Sequence, residues 1–203
     1  GEDCGLRPDP CSALPPRADA ESGLVISDQR AVAAQQLAES GTPPGHELKY
    51  YLLGSPVNHS PSPQLHNAGF GACSLRHTYT ARETSSVDGL SELLQAQGFG
   101  GASVTIPLKV DIVPLLDRLS DEATAIGAVN TIVRTTGGDL VGDNTDWLGI
   151  LRPVKAALQR RRLHQEGPDV QDKTGIALVV GAGGTARAAA FAARELGLGL
   201  LVW

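Results

Sequence analysis

The sequence predicts an α/β protein, with a mixed strand–helix domain over residues 47–150 and a second strand–helix–strand unit over 176–203. Three observations carry this expectation. Short apolar or alternating runs bounded by Gly and Pro take turns with stretches of helical periodicity, the pattern of a layered α/β fold. Near the C-terminus, "IALVVGAGGTARAAAFAARELGLGLLVW" sets a glycine-rich turn between a buried strand and an Ala-rich helix. The 203 residues are 41% hydrophobic and 19% charged, a globular balance with enough chain for one large domain or one and a half ordinary ones.

Taken in order, residues 1–46 are rich in Pro, Gly, Ser and Ala and read as a leader or linker. One short helix is expected there, "DQRAVAAQQLAES", starting near Asp28 and stopped by Gly41. "LKYYLLGSPV" is a buried strand ending in a Gly-Ser-Pro turn, and "SPQLHNAGFGAC" a helix with Ser62 as cap and Pro63 in its first turn. "RHTYTARE" alternates as a strand, and "VDGLSELLQAQGFG" is an amphipathic helix closed by glycine. "GASVTIPL" is a strand, "KVDIVPLLDRLSDEATAIG" mostly helix, and "AVNTIVRTTGGDLVGDNTD" two strands around a Gly-Gly turn. "WLGILRPVKAALQRRRLHQEG" is a helix and "PDVQDKTG" a linker, so residues 151–175 connect the two units. No internal repeat is visible.

Composition excludes several classes. A net charge of -5 gives no general attraction to nucleic acid or anionic membrane. No apolar run approaches the roughly 20 residues that span a bilayer, and "GEDCGLRPDP" lacks the basic start and apolar core of a signal peptide. Cys4, Cys11 and Cys73 are odd in number and not at metal-ligand spacing, which suits free thiols in a reducing compartment and a cytoplasmic protein.

The chemistry-bearing residues each have a plain reading beside a functional one. Lys109 follows the alternating run Ser103 to Leu108; it is either a solvated cap on the next helix or an amine placed for acid/base work. Ser60 and Ser62 stand two apart before a helix, as turn formers or as hydroxyls for a carboxylate. Asn130, within an apolar strand, needs backbone or ligand partners if buried. Asp143, Asn144 and Thr145 read as turn residues, and Asp146 as the N-cap of the helix after it or as a functional acid. His59 and His66 are too isolated to suggest a metal. Gly181, Gly183 and Gly184 sit between strand and helix, where glycines allow close approach to a pyrophosphate and the helix N-terminus favours an anion. Ala186 stands where the last glycine of the usual dinucleotide fingerprint falls.

Five motifs in order, "GSPVNHSPSPQLHN", "GASVTIPLK", "IGAVNTIV", "GDNTDWLGI" and "VVGAGGTARAA", resemble the shikimate dehydrogenase family. The chain is most similar to the dehydrogenase domain of the fungal pentafunctional arom polypeptide. The resemblance runs from about Tyr50 to Trp203 and leaves the first 46 residues unplaced. It implies an N-terminal substrate-binding domain followed by the start of a Rossmann domain. It implies Lys109 and Asp146 as the catalytic pair, with Ser60, Ser62, Thr105 and Asn130 binding a small polyhydroxylated substrate, shikimate or 3-dehydroshikimate. Gly181, Ala182, Gly183, Gly184 and Thr185 would form the loop for NADP, with NAD not excluded.

Members of this family extend further, with an Asn-Arg-Thr stretch for the 2′-phosphate and a later glutamine that touches substrate. The chain is therefore expected to be a fragment that does not turn over alone, with only the first strand–helix–strand unit of its dinucleotide domain. A quinate dehydrogenase, or a metabolite-sensing repressor of the quinate pathway, is the alternative; an intact Lys109 and Asp146 favour catalysis. Other domains of a multifunctional polypeptide are the expected macromolecular partners.

Overall fold

A computed structural model of the chain describes residues 47–163 and 175–203. The helix expected at 28–40, Cys4, Cys11 and nearly all of the 168–175 linker fall outside those residues.

The main body is a six-stranded sheet built from β1 (Lys49–Gly54), β2 (Thr78–Glu83), β3 (Phe99–Val104), β4 (Arg118–Leu119), β5 (Thr131–Arg134) and β6 (Leu140–Asp143). Their order is β2-β1-β3-β5-β6-β4. β1 is parallel to β2 and to β3, and β4 to β6, while β5 runs antiparallel between β3 and β6. Parallel neighbours need crossovers. Helix α1 (Ser62–Ala72) supplies one between β1 and β2, and α2 (Leu90–Gln95) another between β2 and β3. β5 and β6 need only the Gly-Gly turn, where Gly138 has φ 95°.

Alternation along β1 sends Leu53 to one face and Leu52 to the other. Leu53 packs with Leu90, Leu94, Val104 and Leu108 in the larger core, and Leu52 with Val57 and Tyr79 under α1. Tyr50 and Phe70 add a tilted ring pair at 5.4 Å to that second cluster.

Three local expectations are corrected. The strand expected over 101–108 is β3, which takes Phe99 and Gly100 from the end of the expected helix and stops at Val104, while α2 ends at Gln95 before an extended Ala96 and not at a glycine. The stretch 109–127 is mostly not helix: it holds a 3-10 turn at Val113–Leu115, the two-residue β4, and only then α3 (Asp121–Ile126). Pro114 has no N–H to continue a helix. Asp117 instead docks on β6, its N–H donating to Leu140 O and its carboxylate accepting from Leu140 N. Ser120 caps α3, accepting from Ala123 N at 3.0 Å. Ser62 is not a cap, because α1 begins at Ser62 behind Pro61 and has no side-chain cap.

Helix α4 (Asp146–Leu163) leads to β7 (Ile176–Val179), α5 (Gly184–Glu195) and β8 (Gly199–Val202), with β7 and β8 parallel. α5 is seated on the main body: Ala188 is fully buried beside Ile126 and Ala128, and Phe191 meets Trp147 edge-on at 5.2 Å. Ile176, Leu178 and Leu201 of the small sheet are between 58% and 71% exposed. Among the described residues no helix is long and apolar enough to cross a membrane.

Leu53→Ala is expected to cost about 3 kcal/mol through the lost burial and the cavity left behind, read as a lower denaturation midpoint in urea. Burial pushes the hydroxyls of Tyr50 and Tyr79 above the ordinary tyrosine range, an effect the Ser103 side chain partly offsets at Tyr79. The unfolded chain therefore releases these protons first. The stability involved is complete below about pH 10 and is lost as pH climbs through the folded values. Circular dichroism melts should show the midpoint falling above about pH 10, less steeply in a Tyr50→Phe/Tyr79→Phe variant.

Candidate active site

Strand direction gathers the site. β1, β3 and β6 end, and β5 begins, at one edge of the sheet, since Leu53 pairs with Val104, Ser103 with Thr131, and Thr131 with Asp143. The crevice beyond the carboxyl ends of strands is where ligands of such sheets bind.

The first corner is tight. Gly54 has φ 149°, and a Cβ there would fall 2.4 Å from Thr105 Cγ2 and 2.7 Å from Ile106 O. Only glycine lets the end of β1 lie against Thr105. Ser55 N then donates to Ile106 O at 2.8 Å, tying together the loops that leave β1 and β3. Pro56 and Pro107 both follow cis peptide bonds. From this corner the β1 loop carries Ser60 and Ser62, whose hydroxyls are hydrogen-bonded at 3.0 Å. Ser60 Oγ also accepts from Ser62 N at 3.2 Å, so the pair is held together at the start of α1.

Lys109 is fixed at both ends. Its neighbour Leu108 and nearby Ile112 are fully buried, and its own carbonyl accepts from Val129 N at 2.7 Å. Its ammonium donates to Asp146 Oδ2 at 2.6 Å and to Thr185 Oγ1 at 3.1 Å. Side-chain exposure is 14% for the lysine and 24% for the aspartate, so this charge pair is sheltered but still reached by solvent. Asn130 lies just before β5. Its backbone joins β3 to β6, accepting from Val104 N at 2.7 Å and donating to Asp143 O at 3.0 Å. Its amide donates to Asp146 Oδ1 at 2.8 Å, so both carboxylate oxygens are engaged.

The structure thus joins Lys109, Asp146, Asn130 and Thr185 in one hydrogen-bonded group. It places Thr105 and the Ser60–Ser62 pair at the same sheet edge. Lys109 is not a solvated helix cap, because no helix starts at it. Asp146 is not the cap of α4 either. Asn144, fully buried, accepts from Asp146 N at 3.1 Å and donates to Ala128 O at 2.9 Å, which leaves the Asp146 carboxylate for the lysine. Sequence reasoning missed this role of Asn144, and missed that Thr145 N donates to Asn130 Oδ1 at 3.0 Å. The signal was present: an Asn two residues ahead of a helical acid fits the capping rule better than the acid does. His66 stacks on Tyr79 at 4.2 Å, and the described residues hold no group of three or more metal-ligating side chains.

At the glycine-rich turn, Gly181 has φ 117° and donates its N–H to Trp203 O at 2.8 Å. Gly183 precedes α5 without any side-chain cap, and a Cβ there would meet nothing within 4 Å. An uncapped helix start beside open space fits the pyrophosphate of a dinucleotide.

Asn144→Ala would leave the Asp146 N–H and the Ala128 carbonyl without this partner. It is expected to cost about 2 kcal/mol, measured by urea denaturation.

Residues 52–132 match the family described as the shikimate dehydrogenase substrate binding domain. Among solved structures, the chain is similar to shikimate 5-dehydrogenase (AroE) of Thermus thermophilus, determined in complex with NADP(H) and shikimate. That match has 39% identity and a TM-score of 0.61, over 77% of this chain and 55% of the other. Shikimate dehydrogenase of Aquifex aeolicus matches at 36% identity and TM-score 0.63, over 77% and 55%. The dehydroquinate dehydratase and shikimate dehydrogenase from S. pombe AroM matches at 42% identity and TM-score 0.57, over 77% and 29%. The chain spans about half the length of the first two.

Proposed function

We propose that the chain is a member of the shikimate dehydrogenase family, whose substrate binding domain its residues 52–132 match, and that it binds shikimate and 3-dehydroshikimate and serves their NADP-dependent interconversion. One observation carries the reading: an amine and a carboxylate from distant segments meet at 2.6 Å, at the sheet edge where the paired serines also stand. A nicotinamide dinucleotide held by Gly181, Ala182, Gly183, Gly184 and Thr185 would exchange the hydride. The chain's own part is the proton. Lys109 takes it from the ring hydroxyl as the carbonyl forms, and returns it to the oxygen in the reverse direction. Asp146 keeps the amine in place and balances its charge, and the Asn130 amide holds the carboxylate in turn. The Ser60 and Ser62 hydroxyls donate to the ring carboxylate, and Thr105 and Asn130 fix the orientation of the ring hydroxyls.

In this reading residues 47–150 form the substrate domain, residues 151–175 the connection, and residues 176–203 the first unit of a Rossmann domain. Support comes from the Thermus structure, determined with NADP(H) and shikimate, at 39% identity. The 42% identity to the S. pombe AroM protein supports a finer assignment, a dehydrogenase module of arom type whose partners are the other domains of such a polypeptide.

Calorimetry with shikimate and quinate tests the proposal. Shikimate should bind saturably, and better than quinate. Ser60→Ala/Ser62→Ala should weaken it at least about tenfold, and Lys109→Met should leave its affinity within about threefold. Absence of shikimate binding to the wild-type chain overturns the reading. In any form of the protein that turns over, Lys109→Met should lower kcat by about 10²–10⁴.

A further inference from the structure

The glycine-rich turn contains two residues directed at the lysine. A Cβ at Gly184 would lie 2.8 Å from Lys109 Cβ and 3.1 Å from Lys109 Cδ, closer than side chains pack, whereas the space beside Gly183 is open. The absence of a side chain at 184 is thus set by the lysine stem. The next residue, Thr185, accepts from the ammonium at 3.1 Å. This end of α5 is anchored. Ala188 is fully buried against Ala128, and Arg187 Nη1 donates to Gly127 O at 3.4 Å. Asp146 opens α4 and Thr185 is the second residue of α5, so the first turns of two helices grip one amine.

We infer that Thr185 is a positioning residue for Lys109, and that Gly184 is glycine because the lysine stem passes against it. Two of the three ammonium protons are directed, one at Asp146 and one at Thr185, and the third is left for an oxygen of the ligand. The Thr185 bond removes the rotation about the Asp146 bond that would otherwise let this third proton wander. The consequence for proton transfer rests on the dehydrogenase reading; the anchoring of the amine does not.

The test is NMR of the full chain carrying lysine labelled with 13C at Cε, with Lys109→Arg assigning the Lys109 signal. Thr185→Ser keeps the oxygen and should reproduce the wild-type signal. Thr185→Val keeps the shape and loses the acceptor; the Lys109 signal should shift and broaden while the other lysine signals stay in place. Thr185→Ala serves as a second variant without the oxygen, should valine disturb the helix. An unmoved Lys109 signal in the variants lacking the oxygen, or a serine variant as altered as they are, overturns the inference. Shikimate calorimetry on the wild type is run alongside. Failure there removes the dehydrogenase reading, while the lysine signal, recorded without ligand, decides the role of Thr185 separately.

Discussion

The bond between Lys109 and Asp146 is the contact on which the site depends, and the reversed direction of β5 is what makes it possible. The two residues are 37 positions apart, on segments that follow β3 and β6. These strands are separated in the sheet by β5, which runs against both. Its reversal lets Asn130 stand at the edge where β3 ends and lets β6 return the chain to that same edge. Were β5 parallel to its neighbours, Asn130 would lie at the far end of the sheet and the carboxylate would lose its amide partner.

As support, a sheltered ion pair of this kind contributes little. Removing charges from water costs energy that an ion pair regains only with good geometry and further hydrogen bonds. Here both conditions are met: one carboxylate oxygen receives the ammonium, and the other receives the Asn130 amide. The first turn of α4 also favours a negative charge at Asp146. Asn144 accepts the N–H of Asp146 and so holds the backbone beneath this carboxylate. A carboxylate hydrogen-bonded through both oxygens holds its partners in one geometry.

Most of the sheet could be read from the sequence, because alternation and turn chemistry are local. β1, β2 and the β5–β6 hairpin fall where "LKYYLLG", "RHTYTARE" and the Gly-Gly turn put them, whereas β3 shares only Gly101–Val104 with "GASVTIPL". The segment 109–127 misled because its apolar residues recur at helical spacing, while the contact that decides its path, β4 on β6, is supplied by a strand more than twenty residues on. The site was legible in composition and not in wiring. Lys109, Asp146 and Asn130 carry motifs, but no pattern in the chain states that Thr185, 76 residues away, reaches the same amine. A glycine in a phosphate-type turn likewise suggests a phosphate; that its missing side chain also makes room for a lysine is visible only in three dimensions.

Gly54 has a consequence of a different kind. The serine-bearing loop is joined to the lysine-bearing segment through a backbone corner: one amide–carbonyl bond, and a contact made possible because position 54 has no side chain. In the proposed function, ligand recognition and proton handling are therefore two separable modules that meet at one backbone corner. Beyond residue 55, the first can be rewritten in length and lettering for a ring with other substituents, without asking the second to change.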